Sequence, residues 1–218
     1  KKYGAKMEEV LTGFKWIAAR EAEFEKNNTG DYVFGLEESY GYKIERDVMD
    51  KDGVSAAAMC AEMTMYWASQ GKSILERLDE LYKEHGYFED RAINQEFPGS
   101  SGVETMKKIM ADLRKNGLKS LGGKTVVKIR DVQESVEYDP ANPGNKTPYG
   151  LPKSNVLQFF LEGGTIVSAR PSGTEPKIKF YINTVTPVAN GDLDAAKKSA
   201  AVLCDAIENE IKDMLSKA

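Results

Sequence analysis

The stretch Thr165-Ile166-Val167-Ser168-Ala169, then Arg170-Pro171-Ser172-Gly173-Thr174-Glu175-Pro176-Lys177, then Ile178-Lys179-Phe180-Tyr181-Ile182 decides how the second half of this chain reads. The first run is apolar and the last alternates apolar with polar, so both read as strands. The loop between them is held by two stiff elements. Arg170 offers a planar fork of donors that matches a phosphate. Ser172 and Thr174 add hydroxyl donors. Gly173 has no Cβ, which lets an anion come close to its backbone N–H. Pro171 and Pro176 fix φ and limit the freedom of the loop before it binds. These residue types fit a preorganised phosphate cradle. They fit an ordinary tight turn equally well, because Pro, Ser and Gly are common there too.

Outward from the loop, residues 156–161 and 165–169 flank Glu162-Gly163-Gly164 and read as a hairpin. Residues 125–129 read as another strand. Residues 139–152 contain four prolines and two glycines and read as a long loop. Ala200, Leu203, Ile207, Ile211 and Met214 fall on one helical face, with Asp192 or Asp194 near its start. Ser101 and Glu104 make a capping-box pattern ahead of Met106, Ile109, Met110 and Leu113, and Asn116-Gly117 ends that helix. The order helix, four strands, helix predicts an antiparallel sheet with helices on one side.

The first part reads differently. Residues 6–10 look like a helix end. Residues 14–26 form a second helix, stopped by Asn27-Asn28-Thr29-Gly30. Tyr32-Val33-Phe34 reads as a short buried strand. Residues 55–69, rich in Ala and Met, predict a buried helix with Asp52 near its cap. Ser73 and Glu76 form a capping box before Ile74, Leu75, Leu78, Leu81 and Tyr82, a clear amphipathic pattern. Residues 87–99 read as the linker between the parts.

Composition narrows the function classes. The chain has 218 residues with 41% hydrophobic and 29% charged content, enough for one or two domains with a real core. No apolar run is long enough to span a bilayer. A formal net charge of −4 gives no reason to expect nucleic acid or membrane as a partner. Cys60 and Cys204 lie far apart, match no metal spacing, and suit a reducing cytoplasm. His85, the only histidine, sits at a helix end, away from both candidate loops. A His-based triad or a zinc site is therefore not expected.

A second loop, Gly35-Leu36-Glu37-Glu38-Ser39-Tyr40-Gly41-Tyr42, sets two carboxylates and a hydroxyl together. An ionised carboxylate can accept from two neighbouring sugar hydroxyls, although a solvated acidic turn would look the same. Together the two loops resemble those of the α-D-phosphohexomutases, nearest the phosphoglucomutase and phosphopentomutase branch. The 170–176 loop is similar to that family's phosphate-binding loop, Arg-x-Ser-Gly-Thr-Glu-Pro, at every fixed position. The resemblance implies that Arg170, Ser172, Gly173 and Thr174 hold a substrate phosphate, that Lys179 helps, and that Glu175 is structural.

The 35–42 loop resembles the family's sugar-binding loop, commonly Gly-Glu-x-Ser-Gly-His or Gly-Glu-Glu-Ser. This implies that Glu37 and Ser39 bind sugar hydroxyls. The chain departs from that pattern at Leu36, at the extra residue Tyr40, and at Tyr42, where some members have His. Leu11-Thr12-Gly13-Phe14-Lys15-Trp16-Ile17 is similar to the family's Thr-Gly-aromatic-Lys segment, which implies that Lys15 reaches the substrate. Read alone, a lysine between Phe14 and Trp16 is a surface residue whose stem covers apolar area. Residues 50–57, Asp-Lys-Asp-Gly-Val-Ser-Ala-Ala, also look like the branch.

Two family loops have no counterpart in these residues: the phosphoserine loop, Thr-Ala-Ser-His-Asn, and the magnesium loop, Asp-Gly-Asp-x-Asp-Arg. The resemblance therefore implies the C-terminal piece of a longer mutase. Its fold class would be α/β and α+β: residues 1–96 the end of an α/β third domain, residues 97–218 a fourth domain with an antiparallel sheet and helices packed on one side. The whole enzyme would be a cytoplasmic isomerase of carbohydrate metabolism. It would use Mg2+ held outside this piece and a sugar bisphosphate activator. Its partners would be a phosphosugar and the N-terminal domains of the same enzyme. The piece would hold no catalytic residue and no metal ligand, and would be inactive alone. The reading from a different class is a non-catalytic sugar-phosphate-binding module.

Overall fold

The computed structural model describes residues 3–37, 41–99 and 101–217. The chain divides into two compact units, residues 1–77 and 78–218. In the first unit, α1 (Phe14–Asn27) ends where Asn28 takes a left-handed conformation. It is followed by a two-stranded antiparallel hairpin, β1 (Gly35–Glu37) and β2 (Gly41–Lys43), and then by α2 (Gly53–Ser69). Asp52 caps α2 by accepting from Val54 N at 2.9 Å, as its position predicts. α3 (Ile74–His85) runs across the division. Its capping box forms in full: Glu76 N donates to Ser73 Oγ at 3.1 Å and Ser73 N to Glu76 Oε2 at 2.7 Å.

Three expectations for this unit fail, each for a physical reason. Residues 6–10 are not helical; Glu8 there pairs with Lys6 and Arg20 instead. Tyr32, Val33 and Phe34 do not form a strand, and Val33 and Phe34 are exposed. Pairing begins only at Gly35, where a Cβ would lie 2.6 Å from the Tyr32 hydroxyl and 2.7 Å from Ile17. Finally, no residue of α2 is buried, although it is the most apolar helix of the unit. Its principal packing partner in this unit is β2.

Instead of an apolar plug, this unit buries a charge pair. Lys43 and Glu21 are both essentially inaccessible, with Lys43 Nζ 2.5 Å from Glu21 Oε2. The contact is an ion pair, and neither Glu21 carboxylate oxygen has a hydrogen-bond partner among the described residues. Lys43 Nζ donates to the carbonyl of Glu45 at 2.8 Å and lies 4.2 Å from the centre of the Tyr32 ring. The Tyr32 hydroxyl donates to the Lys43 carbonyl at 2.7 Å. Burial, with the Glu21 charge nearby, pushes the Tyr32 phenol up to about 12. The pair ties the base of the hairpin to α1.

The second unit holds β3 (Tyr87–Glu96), α4 (Gly102–Asn116), β4 (Ser120–Leu121), β5 (Lys124–Asp131), β6 (Val136–Tyr138), β7 (Thr147–Pro148), β8 (Leu157–Leu161), β9 (Ile166–Pro171), β10 (Lys177–Thr186) and α5 (Leu193–Ser216). Among the described residues these strands form an eight-stranded antiparallel sheet. The order is β3-β10-β9-β8-β5-β6-β7, with β4 paired to β5. Residues 87–96, expected as linker, are thus an outer strand that pairs residue for residue with β10, from Tyr87 opposite Thr186 to Glu96 opposite Lys177. Its polar, alternating composition hides it, since an outer strand buries little.

Alternation builds the core. Leu157 and Phe159 of β8, Val167 and Ala169 of β9, and Ile178, Phe180 and Ile182 of β10 are fully buried on one sheet face. Met106, Ile109, Met110 and Leu113 of α4 join the same cluster, with Cys204, Ile207, Ile211 and Leu215 of α5. Helices therefore cover one face and leave the other open. Asp192 caps α5 by accepting from Ala195 N at 2.9 Å. The capping box read at Ser101 does not form, because Ser101 already has helical backbone angles (φ −83°, ψ −10°) and its hydroxyl makes no capping bond. No helix among the described residues is long and apolar enough to cross a membrane.

Two stability measurements check this account. Phe159→Ala should destabilise the second unit by about 3–5 kcal/mol, read as a shifted urea midpoint by circular dichroism. Glu21→Gln should cost the first unit about 3–5 kcal/mol, whereas Glu21→Leu with Lys43→Met should recover most of it. Both tryptophans, Trp16 and Trp67, lie in residues 1–77, so their fluorescence reports on that unit. Equal losses in the single and double variants would mean that the pair is not what anchors the hairpin.

Candidate functional site

The 170–177 loop is the turn between β9 and β10. Arg170 stands directly opposite Lys179 across the two strands. Ala169 and Phe180 are buried on the helix side, so Arg170 and Lys179 project from the open face, both half-buried. Neither side chain has a hydrogen bond or ion pair with a described residue. Two cations facing each other on neighbouring strands repel, and each destabilises the other. An anion between them relieves that cost.

Within the loop, Ser172 Oγ accepts from the backbone N–H of Thr174 at 3.3 Å and of Glu175 at 3.2 Å. Its lone pairs are engaged and its own proton remains available to donate. Ser172 N donates to the Lys177 carbonyl at 2.8 Å, and Phe97 N to the Pro176 carbonyl at 2.8 Å, which holds the loop from both sides. Glu175 pairs with Lys177 at 2.5 Å. That carboxylate keeps the Lys177 ammonium above its ordinary value, with a smaller contribution from Glu96. Glu175 thus closes the turn, and Lys177 is occupied. A Cβ on Gly173 would meet nothing within 4 Å, so the space beside its N–H is open. The donors that this turn and its two flanking strands carry are the Arg170 guanidinium, the Lys179 ammonium, the Ser172 and Thr174 hydroxyls and the Gly173 N–H.

The other loop is the β1–β2 hairpin. Ser39 lies outside the described residues. Glu37 is opposite Gly41, and Gly35 opposite Lys43, so the Glu37 side chain shares the inner face with buried Lys43. Gly41 is required there: a Cβ would fall 2.3 Å from the buried Phe14 ring. Tyr42, opposite Leu36, is on the outer face, exposed, with its ring 6.1 Å from that of Phe34. The hairpin therefore separates Glu37 from Tyr42. Lys15 is exposed on α1, with Nζ 5.4 Å from the centre of the Trp16 ring.

The cation that does meet Glu37 is Lys51, whose Nζ lies 3.2 Å from Glu37 Oε1 and 5.7 Å from the centre of the Phe14 ring. In the sequence Lys51 is only one position of the 50–57 run, with nothing to link it to Glu37. Fourteen residues separate it from Glu37, and only the path of the chain joins them. Among the described residues, no group of three or more His, Cys, Asp or Glu could hold a metal ion.

Residues 1–85 match the family model described as phosphoglucomutase/phosphomannomutase, alpha/beta/alpha domain III. The chain is 35% identical over 214 residues to a phosphopentomutase of Homo sapiens, covering 95% of this chain and 34% of that protein. It is 32% identical over 177 residues to a phosphoglucomutase of Staphylococcus haemolyticus, covering 81% and 32%. It is 32% identical over 215 residues to a glucose 1,6-bisphosphate synthase of Mus musculus, covering 95% and 34%. The chain thus spans about a third of the length of these relatives. Among solved structures, the open form of the Paramecium phosphoglucomutase pp63/parafusin shares the fold, with a TM-score of 0.56 at 17% identity over 99% of this chain and 34% of that one.

The unrelieved opposition of Arg170 and Lys179 has a measurable consequence. In chloride buffer, Lys179→Gln should raise stability by roughly 0.2–1 kcal/mol, the size of a cross-strand charge effect, and phosphate should shrink the gain. A melt that shows no gain in chloride would mean that the two cations do not feel each other.

Proposed function

We propose that this chain, which belongs to the phosphoglucomutase/phosphomannomutase family, is the substrate-binding part of a phosphosugar mutase. The enzyme would be an isomerase of carbohydrate metabolism that interconverts 1-phosphate and 6-phosphate or 5-phosphate sugars. The observation that carries this reading is the opposed pair Arg170 and Lys179, which has no counter-charge among the described residues, beside the donors of the loop. A dianionic phosphate satisfies both cations at once, which a neutral ligand cannot do.

In this reading Arg170, Ser172, Gly173, Thr174 and Lys179 hold the phosphate that is not reacting. Glu37 and Ser39 accept from or donate to sugar hydroxyls, with Lys15 and Tyr42 at the rim and Lys51 paired with Glu37. The whole enzyme, acting in the cytoplasm, moves a phosphoryl group between a serine and the sugar through a bisphosphate intermediate, with a sugar bisphosphate as activator. That serine and the residues that bind Mg2+ belong to polypeptide outside the residues described here. The intermediate presents either end to the serine, so one cradle serves both half-reactions. Positioning and electrostatics then supply most of the rate. The first unit is assigned to the third domain. The second is assigned to the fourth and includes β3, which pairs wholly with β10. The sheet that completes the third domain and covers α2 would come from the same polypeptide.

Arg170→Ala should weaken binding of glucose 1-phosphate by about 1.5–3 kcal/mol, the range for hydrogen bonds to charged groups, without lowering the melting temperature. Calorimetric titration reads the first and a thermal melt the second. Unchanged affinity would sink the cradle. In the complete enzyme, Glu37→Gln should depress mutase activity while affinity for inorganic phosphate stays the same. The chain on its own should show no mutase turnover, and turnover that survives removal of host enzyme would refute the assignment.

A further inference from the structure

The sheet register brings a third side chain into line with these two cations. Arg170 is opposite Lys179, and Lys179 is opposite Asn94 of β3. The three therefore rise in one row from the open face, across three adjacent strands. Asn94 is exposed, and its side chain has no hydrogen bond with a described residue. Elsewhere along this face of β3 the acids stand opposite donors on β10. Asp90 is opposite Asn183 and accepts from its amide at 2.7 Å. Glu96 is opposite Lys177.

Opposite Lys179 the residue on β3 is an amide, not an acid. A carboxylate at position 94 would neutralise that ammonium and repel an incoming anion. An amide leaves both cations uncompensated and adds two N–H donors of its own. We infer that Asn94 is a further phosphate-contacting residue, its side-chain amide donating to an oxygen of the anion that Arg170 and Lys179 hold. This rests on the cradle reading of the 170–177 loop. The phosphoryl group offers separate oxygens to guanidinium, ammonium and amide, so the row reads one phosphate from three strands.

The test uses the 218-residue chain with inorganic phosphate as probe, by calorimetric titration and by thermal melts in phosphate and in chloride at equal ionic strength. Asn94→Ala should raise the phosphate Kd about tenfold, as for one hydrogen bond to a charged group, with its chloride melt unchanged. Asn94→Asp should melt later in chloride, because it pairs with Lys179, yet bind phosphate more weakly than Asn94→Ala. Such opposite signs are not what a structural residue produces. If Asn94→Ala keeps the wild-type Kd while Arg170→Ala weakens it, Asn94 is not a contact and the cradle stands. If neither variant changes the Kd, the cradle reading fails and this inference fails with it. An early chloride melt for Asn94→Ala, with no later melt for Asn94→Asp, would make the amide structural and overturn the proposal.

Discussion

Ten consecutive pairings between β3 and β10 govern the second unit. β10 is also the partner of β9 from Ile178 to Asn183, so each side chain in that stretch has its neighbours fixed on both sides. A one-residue slip would move Ile178, Phe180 and Ile182 from the core to the open face and bring Lys179 and Tyr181 inside. Burial of those three residues against α4 and α5 holds the register. The same register sets Arg170 against Lys179. The candidate site is therefore a by-product of core packing: the hydrophobic face chooses the alignment, and the polar face inherits it.

That inheritance has an electrostatic cost. The opposed cations store repulsion in the free chain, and the loop does little to relieve it, since its one carboxylate, Glu175, is taken by Lys177. The loop's own bonds have a different task. Ser172 Oγ accepts two backbone N–H groups, and Pro176 is tied to Phe97, so the turn is shaped before any ligand arrives. Preorganisation of this kind reduces what binding must spend on ordering. The candidate site thus has a turn held by hydrogen bonds and two opposed cations without a counter-charge among the described residues.

The first unit solves its problem with less apolar surface. Its hairpin is placed by two glycines that admit Ile17 and Phe14 to the backbone, and by the buried Lys43–Glu21 pair. A buried pair is weak evidence for stability, because desolvation offsets its attraction. Here it serves geometry: Lys43 is hydrogen-bonded to the chain at Glu45 and stacked on Tyr32, so the hairpin base has one position on α1. Glu37 inherits its inward aim from that position, and meets Lys51.

Sequence by itself determined what depends on neighbours within a few residues. The α4 and α5 faces, the β8–β9 hairpin, the Asp52, Ser73 and Asp192 caps and the donor content of the 170–177 loop follow from local periodicity and local hydrogen bonding. Only tertiary structure decided the rest. Strand β3 is polar because one of its edges is unpaired, so composition alone reads it as linker. The apolar run of α2 predicts burial, yet none of its residues is buried among the described residues. Glu37 with Lys51, and Arg170 with Lys179 and Asn94, are partners across separations that no local rule spans. Strand pairing brings distant residues within ångströms of each other, and the energy that selects that pairing lies in the buried face, not in the polar residues it aligns.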